Sequence, residues 1–257
     1  MRLACGVEYD GEPFFGFQRQ KQTPTVQQCL EEAIGSVANH AVGVTCCGRT
    51  DTGVSADLQV IHFDTEAVRN PRQWTLGINS ALHKAISILW VKPVPDEFHA
   101  RFSASARRYQ YRICNRSVRP AINRHYLTWV LKPLDDVRMN QAIQYLLGEH
   151  DFSAFRSSQC QSKQPVRTIK HASVSRRDEQ ILIDITANGF LHHMVRNIAG
   201  TLIRVGKGEQ SPQWVEQVLQ SKDRRQAGIT AAPNGLRFVG VDYPNHFNLP
   251  TSVGHAS

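Results

Sequence analysis

The run Gly48-Arg49-Thr50-Asp51-Thr52-Gly53 sets an arginine two residues before an aspartate, between glycines that permit tight backbone turns. A cation so close favours an ionised carboxylate, the state of a nucleophile or a counter-ion rather than of an acid sharing a proton. Asp51-Thr52-Gly53 also matches the tripeptide of aspartic proteases, whose chemistry needs two such carboxylates with one proton between them. The chain has one copy, and Gly48-Arg49-Thr50 puts a cation where a protease strand is apolar, so the match is accidental. Taken alone, the loop would be a plain connection in which Asp51 caps its own turn and Arg49 is solvated.

Other residues with chemical potential lie further along. The stretch 106–114 alternates as a strand does, with Arg107, Tyr109, Tyr111 and Ile113 on one face and Arg108, Gln110, Arg112 and Cys114 on the other. Tyr109 on such a strand can stack against a base while Arg107 and Arg108 meet phosphates, whereas Tyr111 fills the sheet. His99-Ala100-Arg101-Phe102 adds the cation Arg101 just upstream. Arg196 falls beside the apolar stripe of a helix, where an arginine snorkels outward or pairs with a buried acid. His192-His193 raises the question of a metal, but neighbours on a helix diverge, so a helix cap or an RNA contact is expected and no metal site. Phosphate-loop, dinucleotide, zinc-protease and hydrolase-elbow patterns are all missing. The six cysteines form no C-x-x-C pair and read as reduced, inert thiols.

The composition fits such a site. With 41% hydrophobic and 20% charged residues in 257, the chain is an ordinary globule, neither collagen-like nor disordered. Lys and Arg number 30 against 22 Asp and Glu, a net charge of +8, which raises the prospect of a polyanionic partner. No run approaches the roughly 20 apolar residues of a membrane helix. The first ten residues alternate like a strand, not like a signal peptide, so no membrane association and a cytoplasmic location are expected.

Positioning these residues takes two rounds of one pattern. A first strand ends at the Asp10-Gly11 turn. Thr23-Pro24-Thr25 opens a helix to about 39, with Val26, Leu30, Ala33, Ile34 and Val37 on one face. Strands are expected at 42–47 and 58–64 around the loop 48–57, then a helix at 71–82 and a strand at 86–94. The second round runs from the strand at 106–114 to a helix capped by Asp135, with Met139, Ala142, Ile143, Leu146 and Leu147 as its stripe and Gly148 as its stop. Paired strands at 166–175 and 180–187, a helix at 192–205 and a strand at 236–243 complete it. Two β-α-β-β-α-β rounds imply an α+β protein of two ferredoxin-like halves, 1–104 and 105–245, with 246–257 as a flexible tail. The polar run 156–164 is also expected to be mobile.

The runs at 48–54 and 98–104, then Arg107-Arg108-Tyr109-Gln110-Tyr111 and His192-His193-Met194-Val195-Arg196-Asn197, resemble in order the tRNA pseudouridine synthase A family over almost the whole chain. One departure is Ser55, where the family commonly has histidine, which puts a histidine-dependent contact in doubt. The resemblance implies a pseudouridine synthase fold whose two halves, with antiparallel and mixed sheets, meet at a central RNA-binding cleft. It implies an isomerase that detaches uracil from ribose, turns it and rejoins it through carbon 5, at positions 38, 39 and 40 of the tRNA anticodon stem-loop. Under it Asp51 is the nucleophile, Arg196 the partner that keeps Asp51 ionised, and Tyr109 the residue against the target base. Arg49 helps hold the nucleotide out of the stack, and Leu236 lines the pocket. No cofactor is implied, and the partners are tRNA and a second copy of the chain. Attack at ring carbon 6 or sugar carbon 1′ stays open, as does Tyr109 as proton carrier or platform. A non-catalytic tRNA-binding or folding protein is the rival reading.

Overall fold

The computed structural model describes residues 1–250. In chain order the elements are β1 (Arg2–Tyr9), α1 (Val26–Ala38), β2 (Thr45–Cys46), β3 (Ser55–Asp64), α2 (Pro71–Ala81), β4 (Ile86–Val94) and β5 (Ala106–Asn115). There follow β6 (Thr128–Val130), α3 (Asp136–Ile143), β7 (Gly148–Asp151), β8 (Val166–Arg177), β9 (Gln180–Ala187), α4 (Met194–Gly206), α5 (Trp214–Ser221) and β10 (Leu236–Asp242). The fold is α+β, and the chain divides into two compact units, one of 1–105 with the chain from Arg237 onward, the other of 106–236.

In the first unit β4, β1, β3 and β2 lie in that order, each antiparallel to its neighbour, the order of a split β-α-β fold. Its helices start where capping chemistry allows. The Thr25 side chain accepts from the Gln28 amide at the head of α1. At α2, Asn70 and Gln73 form a reciprocal capping box ahead of Pro71. Val26, Leu30 and Ile34 of α1 and Trp74 and Ile78 of α2 are buried. β10 joins β3 in parallel at Arg237–Ser55 and Phe238–Ala56, and Arg237 pairs with Asp57 at 2.8 Å.

In the second unit β7, β8, β9 and β5 are successively antiparallel, and β6 runs parallel to β5. Asp135 caps α3 through the Arg138 amide, as its position implied. The α3 stripe of Met139, Ala142 and Ile143 is buried. Helix α4 is buried along most of its length, from Met194 and Val195 to Val205 and Gly206.

Several elements differ from the sequence expectation, each for a local reason. The strand expected at 42–47 shrinks to Thr45–Cys46, because α1 side chains take the Val44 backbone: its amide donates to Glu31 and its carbonyl accepts from Gln27. β3 begins at Ser55 rather than 58, since β1 and β10 both pair with its start. Leu147 leaves the α3 stripe, 37% exposed, because the chain tightens into a 3-10 turn at 144–146 that rotates it outward. α4 starts at Met194, not at 192. The closing strand expected in the half 105–245 falls instead, from Arg237, in the first unit, where it pairs with β3. The tail expected to be flexible from 246 packs Phe247 against Phe98 with ring centroids 5.0 Å apart, and residues 251–257 lie outside the described residues. The run 156–164 forms no helix or strand but is tied down, the Ser157 amide donating to the His192 carbonyl. Among the described residues no helix is long and apolar enough to cross a membrane.

Candidate active site

The first unit carries Arg49, Asp51 and Arg101. The connection from β2 to β3 is held almost residue by residue. The Gly48 carbonyl accepts from the Gln59 side chain at 2.6 Å. Buried Thr50 shares a 2.8 Å hydroxyl contact with buried Tyr9, and its carbonyl accepts from the Phe17 amide. The Val54 amide donates to the Asp51 carbonyl, closing a turn whose third residue, Gly53, sits at φ 76, a conformation that favours glycine. From outside, Gly16 at φ 85 lies so near that a Cβ there would come 3.0 Å from the Thr50 carbonyl oxygen and 3.3 Å from the Asp51 carbonyl carbon. Asp51 is thus half-buried on a fixed backbone, with Arg49 exposed two residues before it. Arg101 is exposed in the turn after β4. Burial pushes the Cys46 thiol up to about 12, Cys47 adding to the rise and Arg49 and Arg101 opposing it, so both guanidinium groups are felt at the base of this loop. Ser55, the residue that departs from the family pattern, accepts from the Gly11 amide and steadies the Asp10-Gly11 turn.

The second unit carries Arg107, Arg108, Tyr109, Arg196 and Leu236. Tyr109 is 8% exposed, edge-on to Phe190 at 5.0 Å and opposite Ile185 on β9. Arg107 donates to the Asn188 carbonyl. Arg108, expected to meet phosphate, grips the buried Asp184 carboxylate with both Nε and Nη2, at 2.9 and 2.6 Å, and Gln110 donates to the same carboxylate. Burial alone would raise the Asp184 pKa, yet the bonds from Arg108 and Gln110 outweigh it and hold the group below its ordinary value. Strand pleating turns Arg108 away from the Tyr109 face and onto an acid of the neighbouring strand.

Arg196 is positioned by a second piece of chain, 224–232, laid against α4. Gly200 and Gly228 meet so closely that a Cβ on Gly200 would fall 1.8 Å from the Ile229 carbonyl oxygen. Buried Asn197 accepts from Arg224 and Thr230, and buried Thr201 accepts from the Gly228 amide. That packing presents the Ala231 carbonyl to Arg196 Nε at 2.8 Å. Leu236 is buried behind Gly235, whose missing Cβ lets the chain lie against the Arg112 carbonyl and the Tyr111 ring. The His192 and His193 rings lie 3.9 Å apart ahead of α4, and His193, at φ 62, takes the N-cap position without a side-chain capping bond.

A family model described as tRNA pseudouridine synthase matches residues 6–103 and 142–244. The chain belongs to that family. Its curated relatives include proteins named tRNA pseudouridine synthase A from Nitrosococcus oceani, 53% identical over 97% of this chain and 96% of that one, and from Colwellia psychrerythraea, 52% identical over 98% and 97%. A Vibrio vulnificus protein of the same name is 52% identical over 99% and 97%. This synthase is therefore an isomerase by family. Arg49, Asp51, Arg101, Arg196 and Leu236 fall inside the matched segments, whereas Arg107, Arg108 and Tyr109 fall between them. The supporting residues Tyr9, Gly16, Gln59, Asn197 and Gly200 were not singled out from sequence, because their work is a close approach to chain far away in sequence.

Proposed function

We propose that this synthase converts uridine to pseudouridine at positions 38, 39 and 40 of the tRNA anticodon stem-loop, with Asp51 as the nucleophile. The observation that carries the reading is a family match over nearly the full chain, joined to an aspartate held half-buried on a loop anchored at Gly48, Thr50 and Val54. The reaction breaks the bond between N1 and C1′ and forms one between C5 and C1′, while a proton leaves C5 and one is gained at N1. Nothing is oxidised or reduced, so a carboxylate nucleophile suffices and no cofactor is called for. A base in a stem must first leave its stack at a cost of a few kcal/mol, which a cationic surface and an aromatic contact can return. Tyr109 is assigned to the target base, Arg49 to the extruded nucleotide, Arg196 to sustaining the charge of Asp51, Leu236 to the apolar lining, and Arg101 and Arg107 to phosphates. We place the enzyme in the cytoplasm as a homodimer.

The test is pseudouridine formation in an unmodified anticodon arm carrying uridine at 38, 39 or 40, without added metal or cofactor. Wild-type protein is expected to convert it, and Asp51→Asn to lose at least about a thousandfold in turnover while still binding RNA. Turnover near wild type in Asp51→Asn would refute the nucleophile. Binding without conversion by the wild type would leave a tRNA-binding protein instead.

A further inference from the structure

We propose that Phe102 is a stacking platform for an unpaired nucleobase of the RNA substrate, with Arg101 beside it for the adjoining phosphate; this rests on the function proposed above and adds a substrate contact to it. Phe102 is 76% exposed, which is unusual for a phenylalanine and asks for a reason. Fraying is not that reason, because the turn carrying it is locked. His99 Nδ1 accepts from the amides of both Arg101 and Phe102, the His99 carbonyl accepts from the Ser103 amide, and the His99 amide donates to the Ser103 hydroxyl. Deeper in, the Ala100 amide donates to His62 Nδ1, its carbonyl accepts from the Tyr243 hydroxyl at 2.6 Å, and Arg2 donates to the Phe98 carbonyl at 2.9 Å.

The side chains continue the same support outward. Buried Phe98 meets His62 edge-on at 6.0 Å, His62 lies 4.9 Å from His99, and His99 lies 4.3 Å from Phe102 with only 31° between the rings. This is a column of rings anchored in the core at Phe98 and ending at the surface in Phe102. The Arg101 guanidinium carbon lies 5.5 Å from the Phe102 centroid. An exposed ring with a cation over it offers a nucleobase a π-face and its phosphate a charge, and it accepts any base. A protein partner would need a broad apolar patch, whereas this single ring has the cationic Arg101 over it.

The platform also lies on the side of the unit that bears the Asp51 loop. His62 on β3 pairs in register with Thr45 on β2, and β2 runs directly into that loop. Arg49 and Arg101 both oppose the rise of the Cys46 thiol pKa at the end of β2.

The test compares wild type with Phe102→Ala, Phe102→Leu and Phe102→Trp, using a fluorescently labelled anticodon-arm hairpin and a blunt RNA duplex of equal charge. Alanine and leucine are expected to weaken hairpin binding about 5- to 150-fold and to raise KM with little change in kcat, leaving duplex binding as it was. Tryptophan should restore hairpin binding, with its added fluorescence quenched by the hairpin and not by the duplex. The inference is overturned if Phe102→Leu binds the hairpin like wild type, if the duplex loses as much as the hairpin, or if Phe102→Trp is as weak as Phe102→Ala. Any of these beside normal wild-type conversion sinks this inference alone. A wild type that neither binds nor converts the hairpin sinks the function and the platform with it.

Discussion

Asp51 and Asp184 are both aspartates close to arginines in sequence or on a neighbouring strand, and their surroundings give them opposite characters. Asp51 is half-buried on a backbone fixed by other groups, in the loop to which the proposed chemistry is assigned. Asp184 is buried and bound by Arg108 and Gln110, so its work is structural. That difference makes Arg108 testable. Removing its guanidinium leaves a buried carboxylate that keeps the bond from Gln110 but loses its counter-charge. Arg108→Ala is expected to cost about 1–2 kcal/mol, less than for a fully buried pair because the Arg108 side chain is 53% exposed. The pH dependence should change sign with it. In the wild type the Asp184 pKa is lowered, so its contribution is present above the unfolded value near 3.9 and is lost as pH falls through the folded value. In Arg108→Ala burial prevails and raises that pKa, so the variant should recover stability relative to wild type on acidification. Thermal unfolding at pH 7 and pH 4 measures both, and a deficit that does not shrink at low pH would contradict the assignment.

Among the elements, α4 and the chain 224–232 behave as one device, since the Ala231 carbonyl, held against the helix, accepts from Arg196. Gly200→Ala would drive a methyl into the Ile229 carbonyl and displace that chain. We expect a loss of about 1–3 kcal/mol in stability and a fall in kcat larger than any change in RNA affinity, as steady-state rates and hairpin binding would show. A variant with normal kcat would mean that the Arg196 orientation does not matter to turnover. Sequence periodicity reads α1, α2, β4, β5 and β9 almost to the residue, and the start of α3, because each writes its buried face as a stripe or an alternation of its own. It passes over β6 and β7, three and four residues long, whose pairing is supplied by β5 and β8. It also passed over α5, although Val215, Val218 and Leu219 after Ser211-Pro212 carry a helical spacing. The Asp51 loop was legible through its residue types. The grip of Gly16, Tyr9 and Gln59 upon it was not, since a close approach leaves no local pattern. His62 makes the element scale visible to pH. Burial first, then Arg2 and His99, lower its pKa to about 4 against a small opposing effect from Asp64. The unfolded chain therefore takes the proton first, and stability should fall as pH drops from about 6.5 to about 4 and then level off. His62→Gln should start less stable at pH 7 and lose less between pH 7 and pH 4; an equal loss would assign the effect to other groups.

At the scale of the whole molecule the surplus of +8 is the property that no single residue explains. Several arginines are matched by acids, among them Arg2 with Asp64, Arg108 with Asp184 and Arg237 with Asp57. Each phosphate neutralised releases condensed counterions, and the logarithm of the binding constant then falls linearly with the logarithm of salt, with a slope of about −0.7 to −0.9 per phosphate. With Arg49, Arg101 and Arg107 assigned to RNA, and two copies of each if the enzyme is a dimer, a slope steeper than about −3 is expected for the anticodon arm. Arg101→Ala and Arg107→Ala should each flatten it by about 1 for every phosphate that the missing guanidinium no longer neutralises. Arg108→Ala should leave the slope near that of wild type, because Asp184 already engages its guanidinium. Titrations of labelled hairpin between about 50 and 200 mM salt decide the matter. If Arg108→Ala flattens the slope as much as Arg107→Ala, phosphate shares that guanidinium with Asp184, and the division between structural and RNA-binding arginines drawn from their partners fails.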